Sequence, residues 1–157
     1  DNIMPTYQFI KALLRSTSDL EIDNEHLMVI SPDEGAMNRT MYFSSVLGVD
    51  IGMFYKRRDY SVVVDGRNPI VAHEFLGSSV EGKDVMIIDD MISSGESMLD
   101  VARELKRRKA RRVFCISTFG MFTNGLESFD KAYEEGLIYK VITTNCTYQR
   151  PDLFERP

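Results

Sequence analysis

The run Val85-Met86-Ile87-Ile88-Asp89-Asp90-Met91-Ile92-Ser93-Ser94-Gly95-Glu96-Ser97 constrains this chain more than any other stretch. Its four leading apolar residues leave no side for water, which is how a central strand of a parallel sheet reads when both faces are covered. Two adjacent carboxylates end that strand, and a loop of small residues around Gly95 opens a helix predicted to run to about Lys109. In open α/β sheets, ligands bind beyond the carboxyl ends of the strands. Paired acids there can accept hydrogen bonds from sugar hydroxyls or face a hydrated magnesium ion. The Ser-Ser-Gly-Glu-Ser loop adds three hydroxyls and free backbone N–H groups at a helix N-terminus, which makes a cup for a phosphate. The plainer reading has the acids cap the helix and the serines make a turn. It accounts for any two of these features more easily than for all of them one loop apart.

The rest of the chain alternates strand and helix patterns at a spacing that predicts a doubly wound, mostly parallel α/β sheet flanked by helices. Pro5 followed by Phe9, Ile10, Leu13 and Leu14 predicts a helix with proline in its first turn. Leu27–Ile30 predicts a strand that stops at Ser31-Pro32-Asp33, and Ala36–Leu47 a helix that ends at Gly48. A short strand over Ile51–Tyr55 leads into a polar stretch from Lys56 to Pro69, which predicts a flexible loop after the second strand. Val71–Leu76, Val113–Ser117 and Lys140–Thr143 are the remaining predicted strands, with a shorter helix near Leu126–Glu135.

Composition excludes several classes. At 157 residues, 43% hydrophobic and 27% charged, the chain can bury a core as one domain. A net charge of −5 does not suit a domain built to coat nucleic acid or an anionic membrane. Two cysteines and two histidines supply neither a disulfide framework nor zinc-ligand spacing. Without a membrane-length apolar run or a signal-peptide pattern, the expected compartment is the cytoplasm. Gly77–Lys83 has the spacing of a nucleotide-binding P-loop, but it precedes a strand and Asp84 stands where a hydroxyl is needed, so it reads as a turn. The seven basic residues in Arg103–Arg112 read as cations closing a helix, and Cys115 as a packed, inert thiol.

The Val85–Ser97 run resembles the phosphoribosyl pyrophosphate (PRPP) motif of type I phosphoribosyltransferases and ribose-phosphate pyrophosphokinases. The resemblance implies that Asp89 and Asp90 hold the ribose 2- and 3-hydroxyls and that Ser93, Ser94, Gly95, Glu96 and Ser97 receive the 5-phosphate. Glu96 departs in character, since a carboxylate repels a phosphate, so its side chain is expected to turn outward. Ser31-Pro32-Asp33-Glu34-Gly35-Ala36-Met37-Asn38-Arg39 resembles the Ser-Pro-Asp-x-Gly…Arg segment of the pyrophosphokinase branch, which implies that Asp33 serves magnesium and ATP. Lys56-Arg57-Arg58 resembles that branch's catalytic loop, which implies that Lys56 and Arg58 close over the ATP phosphates. On their own, Asp33 reads as a helix cap and Lys56–Arg58 as a solvated basic loop.

The resemblance covers about Asp1 to Tyr148 and corresponds to the C-terminal half of that branch's two-domain enzyme. It therefore implies a single phosphoribosyltransferase-like domain over 1–157, truncated at both ends. It implies ribose 5-phosphate, ATP and PRPP as partners, Mg2+ as cofactor, and a homo-oligomer in the full-length protein. The isolated piece is expected to be inactive or nearly so. Two alternatives share the sugar-phosphate site: a phosphoribosyltransferase that consumes PRPP with a nucleobase, and a non-catalytic regulatory homologue.

Overall fold

A computed structural model describes residues 4–58, 70–149 and 151–155; the side chains of 56–58, 70–73 and 154 are not included. Six strands, β1 (Leu27–Ser31), β2 (Ile51–Arg58), β3 (Ile70–Leu76), β4 (Asp84–Ile92), β5 (Val113–Gly120) and β6 (Lys140–Thr143), form one sheet in the order β3-β2-β1-β4-β5-β6. Helices α1 (Thr6–Ser16), α2 (Met37–Leu47), α3 (Glu96–Arg107) and α4 (Glu127–Glu134) flank it, and a short 3-10 helix follows at Pro151–Glu155. The pairings β2–β1, β1–β4, β4–β5 and β5–β6 are parallel, and β3 lies antiparallel to β2 at the edge.

Alternation within the central strands builds a core on each face. Met28, Ile30, Val85 and Ile87 point to the layer of α3 and α4, where Leu99, Leu105 and Phe129 close over them. Leu27, Val29, Met86 and Ile88 point to the layer of α1 and α2 and meet Phe9, Leu13 and Phe43. The i, i+4 spacing of Phe9 and Leu13 puts both on the buried stripe of α1. Gly48 ends α2 with φ +69°, and its N–H bonds to Ser44 O, a left-handed cap that glycine adopts without a Cβ penalty. Among the described residues, no helix is long and apolar enough to cross a membrane.

The chain leaves β1 through α2 toward β2, and leaves β4 through α3 toward β5, so strand order reverses between the adjacent strands β1 and β4. That is a topological switch point, where the loops after the two strands separate and leave a crevice. Ser31–Asp33 and Asp89–Asp90 both lie at this crevice.

Three predicted boundaries need correction. β4 continues through both aspartates to Ile92, with Met91 opposite Phe119 and Ile92 opposite Gly120 on β5. The acids are thus strand residues, and the loop shrinks to Ser93–Gly95, with Glu96 and Ser97 in the first turn of α3. The backbone of Lys56–Arg58 belongs to β2, not to a loop: Lys56 pairs with His73, Arg57 with Ala72 and Arg58 with Ile70. The remainder of the predicted flexible loop, 59–69, lies outside the described residues. Gly77–Lys83 connects β3 to β4 through a turn at Glu81-Gly82, as expected.

Candidate functional site

Asp89 and Asp90 reach the end of β4 where burial gives way to partial exposure. Each carboxylate is fixed by the next residue's backbone: Asp89 Oδ1 accepts from Asp90 N–H at 2.8 Å, and Asp90 Oδ1 from Met91 N–H at 2.9 Å. Burial pushes the Asp89 carboxyl up to about 6, helped by the Asp90 side chain and its charge and by the charge of Asp33, while the Asp90 N–H pulls it down. Asp33 therefore acts on Asp89 across the switch point. It sits on an exposed turn held locally, with Ser31 Oγ donating to Asp33 O at 2.7 Å and Ala36 N–H donating to Asp33 Oδ1 at 3.1 Å. Asp33 is not the cap of α2, whose N-cap position is Ala36 and carries no side-chain cap; its carboxylate closes the turn before the helix, and its charge acts on Asp89.

From α2, the Arg39 guanidinium faces both acids, with Nη1 3.9 Å from Asp89 Oδ1 and Nη2 3.8 Å from Asp90 Oδ2. The sequence pattern assigns Arg39 no separate role, although it closes the Ser31–Arg39 segment. The cleft beside it has a volume of about 550 Å³. The two aspartates, Arg39 and Asn38 line it, together with Met4–Thr6 at the start of α1 and Thr118-Phe119 near the end of β5. A second cavity of about 400 Å³, between α4, β6 and the 3-10 helix, holds none of the predicted site residues.

On the opposite side of Asp89, the loop Ser93–Gly95 is clamped by the segment after β5. Met121 and Phe122 donate backbone N–H bonds to Ile92 O, and Thr123 N–H donates to Ser93 O at 2.9 Å. Gly95 is buried at φ +86° and precedes α3, whose N-terminus carries no side-chain cap. Only the Glu96 N–H reaches a side chain, at a long 3.4 Å from Ser94 Oγ. An uncapped helix start with backbone N–H groups and hydroxyls nearby is a ready anion site. Glu96 is exposed, as its expected outward turn requires. Asp89 and Asp90 thus line the cleft with Arg39, while Ser93–Ser97 follow them along the chain and are not part of its lining; the side chains of Lys56 and Arg58 lie outside the described residues.

A model of the phosphoribosyl transferase domain matches residues 1–145. The chain belongs to the phosphoribosyl transferase domain family. This phosphoribosyl transferase domain is 32% identical over 118 residues to the ribose-phosphate pyrophosphokinase of Thermococcus kodakarensis, covering 74% of this chain and 40% of that protein. It is 36% identical over 124 residues to the ribose-phosphate pyrophosphokinase of Vibrio parahaemolyticus, covering 78% and 35%. The chain therefore spans well under half the length of these relatives. In fold it is similar to the phosphoribosylpyrophosphate synthetase of Mycobacterium smegmatis, with TM-score 0.74, 21% identity, and coverage of 97% of this chain and 44% of that one. An adenine phosphoribosyltransferase follows at TM-score 0.58 and 17% identity, covering 88% and 76%.

Proposed function

We propose that this domain is the C-terminal, sugar-phosphate-binding half of a two-domain ribose-phosphate pyrophosphokinase of the cytoplasm. In this reading the whole enzyme, a homo-oligomer, transfers the β,γ-diphosphoryl group of ATP to the 1-hydroxyl of ribose 5-phosphate, giving PRPP and AMP. The observation that carries it is the sequence of elements at the switch point: the Asp89–Asp90 pair in β4, then Met91-Ile92 and the loop Ser93–Gly95, then the uncapped N-terminus of α3. Diol acceptors followed by a phosphate-binding helix start are the two features that one phosphorylated pentose requires.

Asp89 and Asp90 accept hydrogen bonds from the ribose 2- and 3-hydroxyls. The N–H groups and hydroxyls of Ser93–Ser97 receive the 5-phosphate, with Glu96 contributing backbone only. Lys56 and Arg58 neutralise the transferring phosphates, since catalysis of phosphoryl transfer rests mainly on positioning and charge stabilisation. Asp33 suits magnesium: it is an exposed hard-oxygen donor on a fixed turn, near two further carboxylates. When bound, the ion supplies charge neutralisation for the ATP phosphates.

Calorimetric titration with ribose 5-phosphate tests the reading. Binding is expected, and Asp89→Asn with Asp90→Asn should abolish it; unchanged affinity in the double variant defeats the assignment. Full-length protein should release AMP from ATP and ribose 5-phosphate. Base-dependent pyrophosphate release from PRPP without ATP would instead favour the phosphoribosyltransferase alternative, which shares the sugar-phosphate site.

A further inference from the structure

We propose that Arg39 is a positioning residue for the sugar diol: it bridges Asp89 and Asp90 and holds both carboxylates aimed into the cleft. This inference rests on the sugar-phosphate reading above and assigns a role to a residue outside the predicted set.

The geometry carries it in three steps. First, the two nitrogens of one guanidinium face one oxygen of each acid, at 3.9 and 3.8 Å. A planar fork spans two carboxylates in a way a point-like ammonium cannot. Second, both separations exceed hydrogen-bond length, so the attraction is through space and leaves acceptor lone pairs for a ligand. A tight bidentate bond at 2.7–2.9 Å would use up the acceptor capacity that a diol needs. Third, three carboxylates (Asp33, Asp89 and Asp90) gather where an anionic sugar phosphate must approach. Among the described residues, Arg39 is the cation that the ion pairs place within 4 Å of the acidic pair. The neighbouring segments of α1 and β5 contribute Pro5, Thr6 and Thr118 to the same cleft, none of them charged.

Local structure places the residue. The turn that Asp33 closes onto Ala36 fixes the start of α2, and Arg39 stands in the first turn of that helix, over the end of β4. Its side chain is 29% exposed, so it is partly dehydrated yet reachable from the cleft.

The test compares wild type, Arg39→Gln and Arg39→Lys by calorimetry with two probes, ribose 5-phosphate and inorganic phosphate, alongside thermal unfolding. Arg39→Gln should weaken ribose 5-phosphate about tenfold and leave phosphate affinity within about twofold, because the α3 cup does not involve Arg39. Arg39→Lys, which keeps the charge but not the fork, should recover part of that loss. Equal losses for both probes would reduce Arg39 to a general attractant and overturn the proposal. So would unchanged ribose 5-phosphate affinity, or a Lys variant no better than Gln. If Arg39→Gln does not fold, the Lys variant decides: sugar affinity below wild type with phosphate unchanged supports the proposal, and wild-type affinity overturns it. If wild type binds sugar and the Asp89/Asp90 double variant does not, an unaffected Arg39→Gln defeats this inference alone. No sugar binding by wild type defeats the parent reading and this inference together.

Discussion

The ring of Phe129 occupies the space that a Cβ on Gly95 would take. The loop Ser93–Gly95 is therefore seated directly on α4, with no side chain between them. Phe129 is itself held edge-on to Phe122, 5.3 Å away at 89°, and both rings are buried. The loop is thus positioned by an aromatic pair more than 25 residues further along the chain.

Gly95→Ala should disrupt this seat twice over, because φ +86° also disfavours any residue with a Cβ. We expect a loss of about 2–4 kcal/mol, combining backbone strain with overpacking, and at least a tenfold loss of ribose 5-phosphate affinity. A double-mutant cycle with Phe129→Ala separates the two causes. The steric part of the Gly95→Ala cost should vanish in the Phe129→Ala background, and the backbone part should remain. Additive costs across the cycle would show that the contact does not set the loop.

The legibility of the site in the sequence follows from what each part depends on. β4 is readable because burial on both faces demands consecutive apolar residues, and the acid pair is conspicuous as the break in that run. The end of the strand is not readable there, because Asp89–Ile92 keeps its pairing through backbone bonds to β5 that are indifferent to side-chain polarity. Lys56–Arg58 is misread as a loop for the same reason: three cations erase the apolar pattern, while the antiparallel ladder with β3 requires only backbone groups. Arg39 stands in a recognisable segment, but its approach to Asp89 depends on how α2 packs across the switch point. Met4–Thr6 and Thr118-Phe119 join the cleft through tertiary packing alone.

Asp89 makes stability depend on pH in the direction opposite to most carboxylates. Its folded-state value of about 6 lies above the ordinary 3.8, so the folded chain holds this proton more tightly than the unfolded chain does. The contribution is fully present below about pH 4 and is lost as pH rises to about 6, with a size of about 1–3 kcal/mol. Asp89→Asn, neutral throughout, should therefore raise the melting temperature by several degrees at pH 7.5 and leave it nearly unchanged at pH 4. The same variant should lose sugar binding, so stability and function move in opposite directions at this position. A variant less stable than wild type at pH 7.5 would contradict the origin assigned to the shift.

The far end of β4 is fastened by an ion pair of a different kind. Asp84 is 2% exposed and receives Arg112 Nε at 3.0 Å and Nη2 at 2.6 Å, while Arg112 Nη1 also reaches Asp19 at 2.9 Å. The guanidinium lies over the Tyr139 ring at 5.0 Å, so β4, β5, the segment before β6 and the α1–β1 connection meet at one side chain. Arg112→Ala strands the Asp84 carboxylate in the interior, which costs about 3–5 kcal/mol for a buried pair broken on one side. Arg111, whose Nε is 4.0 Å from Asp84 and whose side chain is 47% exposed, tempers this without replacing the two-point contact. Asp84→Asn combined with Arg112→Met should recover much of the loss, because neither an uncompensated charge nor an empty space then remains. Urea unfolding of wild type and the two variants measures these differences. Because Asp84 opens β4 and Asp89 lies five residues further along it, folded Arg112→Ala should bind ribose 5-phosphate with wild-type affinity. A large fall in that affinity would mean that the clamp governs the geometry of the acidic pair as well as the stability of the sheet.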